Sequence, residues 1–193
     1  AGAIGLAVIA VFMIGVYFLP GFVASLALLL YTALIVLLLN GFDITLTLPG
    51  IAGIILSIGM AVDANVIIYE RIKEELAAGK GLSKAIADGY SNAYSAIIDG
   101  QVTTLLTGIV LFIFGSGPVQ GFATTLIIGI ITSVITSIFI TRIIFDDRVA
   151  KGKNVSFENN LTKDFLKHTH FDFIGKKKFS YMFSGALIVI AIL

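Results

Sequence analysis

Two apolar runs, Ala1–Phe42 and Gly100–Thr141, carry no charged residue over 42 positions each, and proline and glycine interrupt both near the middle, at Leu19-Pro20-Gly21 and Gly115-Ser116-Gly117-Pro118. A bilayer core takes about 20 helical residues, so each run predicts two spans joined by a tight turn. Pro49–Tyr69 adds a further span of 21 residues. The expected layout is spans over about 3–19, 22–40, 49–71, 99–114 and 119–144. A charged connector is expected over 72–98, a polar linker over 146–177 and the beginning of another span over 178–193. No open sheet edge survives in lipid, so the predicted class is all-α, a polytopic helical bundle. Ala1 reads as mid-helix, Phe179–Leu193 is only 15 residues of a last span, and no signal peptide is visible; the chain is expected to be a segment of a longer protein.

Composition agrees with a membrane bundle: 58% hydrophobic and 13% charged, against about 25% charged in soluble domains. Mean hydropathy is +1.02. All 13 lysines and arginines fall in two stretches, four from Arg71 to Lys84 and nine from Arg142 to Lys178. The positive-inside rule then places both connectors in the cytoplasm and the turns at Gly41–Leu48 and Gly115–Pro118 outside. Because topology places the basic residues, the net charge of +1 does not point to nucleic acid. Zero cysteines exclude disulfides and thiol chemistry. Within the connector, Gly79 and Gly81 predict a turn between a helix extension and a short second helix, whose Leu82, Ala85, Ile86 and Gly89 share one side and suit an interfacial helix.

Asp63 interrupts the third span with no cation nearby in sequence. A carboxylate deep in a spanning helix costs on the order of 3 kcal/mol, and such residues face a cavity or a partner. That cost makes Asp63 a candidate for loading and releasing a proton, lying in the inner half of its span. The plain alternative is an ion pair with a helix outside this chain. Glu70 follows by seven residues and shares its face; with Arg71, Lys73 and Glu74 it reads as a solvated helix end, a proton relay being the alternative.

Polar and small residues recur at helical spacing in the other spans. Asp99, Thr103 and Thr107 form one row beside Gly100, Thr104 and Gly108. Gly129, Ser133, Ser137 and Thr141 form another, flanked by Thr132 and Thr136, and the third span carries Ala52, Gly59 and Asp63 on one side. Such rows let helices approach closely and hydrogen-bond across the contact. Packing alone explains any single row; together with Asp63 and Asp99 they predict a polar interior reached by water. Asp99 stands at the expected inner start of its span, where it is either a helix N-cap or a second proton-handling carboxyl. Two membrane aspartates also raise an intramembrane aspartyl protease, but that family's Gly-x-Gly-Asp is absent, with Ala61-Val62-Asp63 and Ile97-Ile98-Asp99 in its place. His168 and His170 lack ligand partners and read as solvated loop residues, and no phosphate-binding glycine loop is present. The expectation is therefore no enzyme, no metal and no cofactor, with protons as the coupling ion.

Leu48-Pro49-Gly50-Ile51-Ala52-Gly53, Gly59-Met60-Ala61-Val62-Asp63-Ala64-Asn65-Val66 and Glu70-Arg71-Ile72-Lys73-Glu74-Glu75-Leu76 resemble the signature of the SecD/SecF family of protein-export membrane proteins. The likeness continues through Asp99–Thr107 and Gly115–Ala123, with Gly100-Gln101 where the family pattern suggests Ala-Asn. Phe171–Lys178 resembles the start of the SecF portion, so a fused SecDF polypeptide is implied, joined across Arg142–Thr169. The resemblance implies a relative of the resistance-nodulation-division transporters, with five spans of one six-helix half plus the beginning of the next. It implies a proton-driven accessory subunit of the Sec translocon in the bacterial cytoplasmic membrane. Its partners would be the translocon channel and its accessory proteins, the translocating preprotein, the SecF half of the same polypeptide and membrane lipid. Asp63 matches the family's membrane aspartate and Asp99 a second family position. The competing expectations are a proton-coupled efflux or lipid-export permease of the same superfamily and a non-transporting scaffold of the translocon.

Overall fold

The computed structural model describes residues 2–152, 155–157, 181–185 and 187–188, with the side chains of 2 and 3 left out. Two compact units emerge, 1–159 and 160–193. In the second, residues 181–185 and 187–188 are helical and exposed. The basic stretch Phe171–Lys178, with His168 and His170, lies outside the described residues.

The first unit is all helical among the described residues: α1 (Gly2–Tyr17), α2 (Leu19–Gly41), α3 (Leu48–Ala77), α4 (Leu82–Phe114), α5 (Pro118–Val134), a π-helical segment (Ile135–Ile140) and α6 (Thr141–Ala150). The last three run on as one rod of 33 residues. Four helices among the described residues have the length and composition to cross a bilayer, namely α2, α3, α4 and the α5–α6 rod; α1 is apolar and shorter.

Local chemistry sets the breaks. Pro20 opens α2 just after Phe18, whose φ of 55° turns the chain sharply. Only a glycine fits at position 21, since a Cβ there would collide with the Met13 carbonyl of α1. Thr47 caps α3 by accepting from the Gly50 amide at 3.1 Å, and Pro49 sits in the first turn where its missing N–H costs nothing. Pro118 opens α5 in the same way.

α3 is the central helix, packed against α5 and α4, while α1 packs on α2. The buried row of α3 is Gly50, Gly53, Ser57, Ala61, Ala64, Asn65, Ile68 and Ile72. A methyl group on Gly53 would lie 2.5 Å from Thr125 Oγ1 and 2.9 Å from the Phe122 carbonyl, and one on Gly129 would collide with Ser57. The Tyr31 hydroxyl donates to Ser57 Oγ at 2.6 Å at that same point, tying α2, α3 and α5 together. The described lysines and arginines of this unit collect at the opposite end from Gly41–Leu48 and Gly115–Pro118, the basic end. There Tyr69 is ringed by Tyr17 at 5.4 Å, Phe145 at 5.7 Å and Phe157 at 6.0 Å between centroids.

Two expectations change. The short connector helix and the fourth span are one unbroken helix, α4, of 33 residues. Its Ala85, Ile86 and Gly89 face is buried in protein and not laid on a membrane surface: a methyl on Gly89 would come within 2.9 Å of the Ile72 amide nitrogen of α3. The segment following α6 also packs back: Val155 and Phe157, within the stretch expected as a polar linker, are buried at 5% and 2% exposure. An aromatic ring gains more by filling the gap beside Tyr69 than by remaining in water.

Candidate functional site

Asp63 projects from the middle of α3 and is exposed at the mouth of an open cleft of about 190 Å³ between α3 and α4. Met60 and Ala64 line it from α3, and Gly100, Gln101 and Thr104 from α4. Because the two helices are antiparallel, Asp63 and Gln101 stand level, each about 20 Å from the far end at 1.5 Å per residue. That depth lies within a bilayer core about 30 Å thick. The volume leaves room for water beside the carboxyl.

The walls differ in what they offer a proton. The Thr104 hydroxyl donates back to the Gly100 carbonyl at 3.0 Å, as hydroxyls in apolar helices do. Gln101 is 7% exposed, and its Oε1 is shut off from solvent with no partner among the described residues. Among the described residues Asp63 has no ion-pair partner; those pairs all stand at the basic end.

The other residues singled out by sequence lie in several separate places. Asp99, Thr103 and Thr107 form an exposed row around α4 from the cleft, the two threonines donating to the Asp99 and Thr103 carbonyls at 2.8 and 3.1 Å. Asp99 is in the interior of α4, which removes its reading as an N-cap: a cap must precede the first turn, and α4 begins at Leu82. Gly59 is exposed on α3 with open space where a Cβ would stand, so it is not a packing glycine of this unit. Ser133 and Ser137 are buried at 0% and 1% exposure within the bundle's own core. They donate to the carbonyls of Ile130 at 2.9 Å and Ser133 at 2.6 Å and do not line the Asp63 cleft. Gly108 packs on Ile127 of α5, with 3.1 Å from an added Cβ to Cγ1. Thus Asp63 and Thr104 share a site, while Asp99 and the α5 hydroxyls lie elsewhere. Glu70 accepts from the Tyr17 hydroxyl at 2.7 Å and pairs with Lys73 at 3.2 Å, at the basic end.

Gln101 is the cleft residue that pattern reading passed over. Its signal was available: Gln101 precedes Gly115 by 14 residues and Asp63 follows Pro49 by 14, which puts an amide and a carboxyl at one depth on neighbouring antiparallel helices.

At the α3–α4 turn, Lys80 bridges Glu75 at 2.5 Å and Asp88 at 2.6 Å. The hydrogen-bonded ammonium holds the Asp88 carboxyl below the usual carboxylate range, and the bond to Asp88 in turn raises Lys80 above the usual lysine value.

Residues 1–150 match the family model described as protein export membrane protein SecD/SecF, C-terminal. The protein translocase subunit SecD of Leptotrichia buccalis is 56% identical over 144 residues, covering 75% of this chain and 36% of that protein. SecDF of Bacillus subtilis is 40% identical over an alignment spanning 100% of this chain and 28% of that protein, so the likeness to SecDF runs on through 160–193. The crystal structure of SecDF from Thermus thermophilus, described as a translocon-associated membrane protein, superposes with a TM-score of 0.85 at 37% identity over 98% of this chain and 26% of that one. The chain spans about a third of the length of such relatives. With helical architecture, residues 1–150 and identity all in agreement, this chain belongs to the SecD/SecF family of protein-export membrane proteins.

Proposed function

We propose that this chain is the part of a Sec-associated export subunit that carries its proton-handling carboxyl, Asp63. The observation that carries the reading is the cleft itself: a carboxyl at membrane depth, beside space for water, with no counter-ion among the described residues. A carboxylate left in that setting is costly, and taking up a proton removes the cost. One proton crossing 100 mV releases about 2.3 kcal/mol, enough to bias a two-state packing of α3 against its neighbours. No bond-making chemistry is involved, and protons are the coupling ion. The subunit sits in the bacterial cytoplasmic membrane with its basic end inward. It works with the translocon channel, the preprotein and the SecF half of its own polypeptide. Asp99 stands at the same depth on the face of α4 turned away from the cleft, and the proton is loaded at Asp63.

The test is Asp63→Asn in the intact protein, at matched membrane level. Preprotein translocation into inverted vesicles is expected to lose its stimulation by a proton gradient while the fold, followed by thermal unfolding, is kept. Undiminished gradient-dependent translocation by the Asn variant would overturn the reading. Loss of assembly with the translocon in that variant would favour a scaffold instead.

A further inference from the structure

We infer that Gln101 is the positioning residue for Asp63: its carboxamide receives the Asp63 carboxyl in both protonation states. The inference rests on the reading of Asp63 as the proton-loading group.

Three observations converge. Gln101 lines the same cleft as Asp63, on the facing helix, and the two side chains are not hydrogen-bonded in this structure, so the contact forms when the Asp63 carboxyl turns inward from its exposed position. It is more than nine-tenths buried, and its Oε1 has no partner among the described residues, an arrangement that costs free energy unless something fills it. The other polar side chain on the α4 wall, Thr104, has its hydroxyl proton committed to the Gly100 carbonyl, and Met60, Ala64 and Ile67 offer no hydrogen bond of comparable strength. Gln101 is therefore the group in the cleft with hydrogen-bonding capacity left to give.

A carboxamide suits this task for a chemical reason. Its N–H donates to a carboxylate, its C=O accepts from a carboxylic acid, and a half-turn of the amide exchanges the two ends. A lysine would favour the ionised form alone, a second carboxyl would add a like charge, and a leucine would match neither state. A neutral group that satisfies both forms keeps the carboxyl in one orientation through a cycle of loading and release. The proton moves between the Asp63 oxygen and cleft water; Gln101 exchanges hydrogen bonds and no proton.

The experiment compares wild type, Gln101→Leu, Gln101→Asn and Asp63→Asn in the intact protein reconstituted in bilayers. The readouts are the infrared difference band of the protonated Asp63 carboxyl and gradient-driven translocation. In Gln101→Leu the carboxyl band is expected to move and translocation to fall about tenfold, the size of losing a hydrogen bond to a charged group. Gln101→Asn, which keeps the amide, should restore most of both. A band that titrates normally and stays in place in Gln101→Leu, with wild-type translocation, would overturn the role of Gln101 and leave Asp63 standing. No carboxyl band lost in Asp63→Asn would mean that the reading of Asp63 itself has failed. Should Gln101→Leu not fold, side-chain amide NMR of wild type decides: the Gln101 NH2 resonances are expected to follow pH, and to stop doing so in Asp63→Asn. Resonances indifferent to pH in wild type would overturn the proposal.

Discussion

A single added methyl group separates Gly129 from Gly59. On Gly129 it would collide with Ser57 beside the Tyr31 hydroxyl, whereas on Gly59 it would meet nothing within 4 Å. Gly129→Ala is expected to destabilise the bundle by about 1–3 kcal/mol, the usual cost of overfilling a packed contact, and Gly59→Ala by nothing. Thermal unfolding of the two variants in detergent checks this; equal midpoints would mean that α3 and α5 do not meet as described. The pair also shows what residue patterns reveal. Small residues line both sides of α3, Gly53 and Ser57 on one and Ala52 and Gly59 on the other, and spacing alone does not tell which side has its partner within the same chain. Asp63 was legible because a lone carboxyl in an apolar helix has few explanations. Gln101 was legible only through its matched depth, because an uncharged amide leaves little mark on a hydropathy pattern.

At the level of elements, the spans were readable from charge-free runs and their proline–glycine breaks, since those obey bilayer thickness and backbone sterics. The length of α4 was not. Hydropathy reports where a helix leaves the membrane, not whether it ends there, so Asp99 was read as a start when it lies well inside the helix. The α3–α4 turn carries its own pH signature. Asp88 has a lowered folded value, so its contribution is full above the ordinary carboxylate range and is lost as pH falls through that lowered value. Lys80 has a raised value, so its contribution is full below the ordinary lysine value of 10.5 and is lost as pH rises through the raised one. The effect is expected to be small and weakened by salt, because the pair is solvated. Hydrogen exchange of amides 79–82 against pH should show protection greatest between those limits, and Asp88→Asn should remove the acid-side change.

For the first unit as a whole, the aromatic box at the basic end holds the chain that leaves α6. Phe157 stacks within 5.4 Å of Phe145 and 6.0 Å of Tyr69 between ring centroids. Phe157→Ala is expected to cost about 3 kcal/mol, and to expose the peptide bonds after Ala150 to protease. An unchanged digestion rate and unfolding midpoint would show that the ring is not seated there.

The unbroken hairpin of α3 and α4 has a mechanical side. Between Asp63 and Ala77 lie fourteen helical steps, about 21 Å of continuous rod, braced to α4 by the tight Ile72–Gly89 approach and by the Glu75–Asn92 hydrogen bond of 2.8 Å. Stiff arms convert rotation into travel: a tilt of about 5° pivoting at the carboxyl would swing the Gly79 tip by about 2 Å.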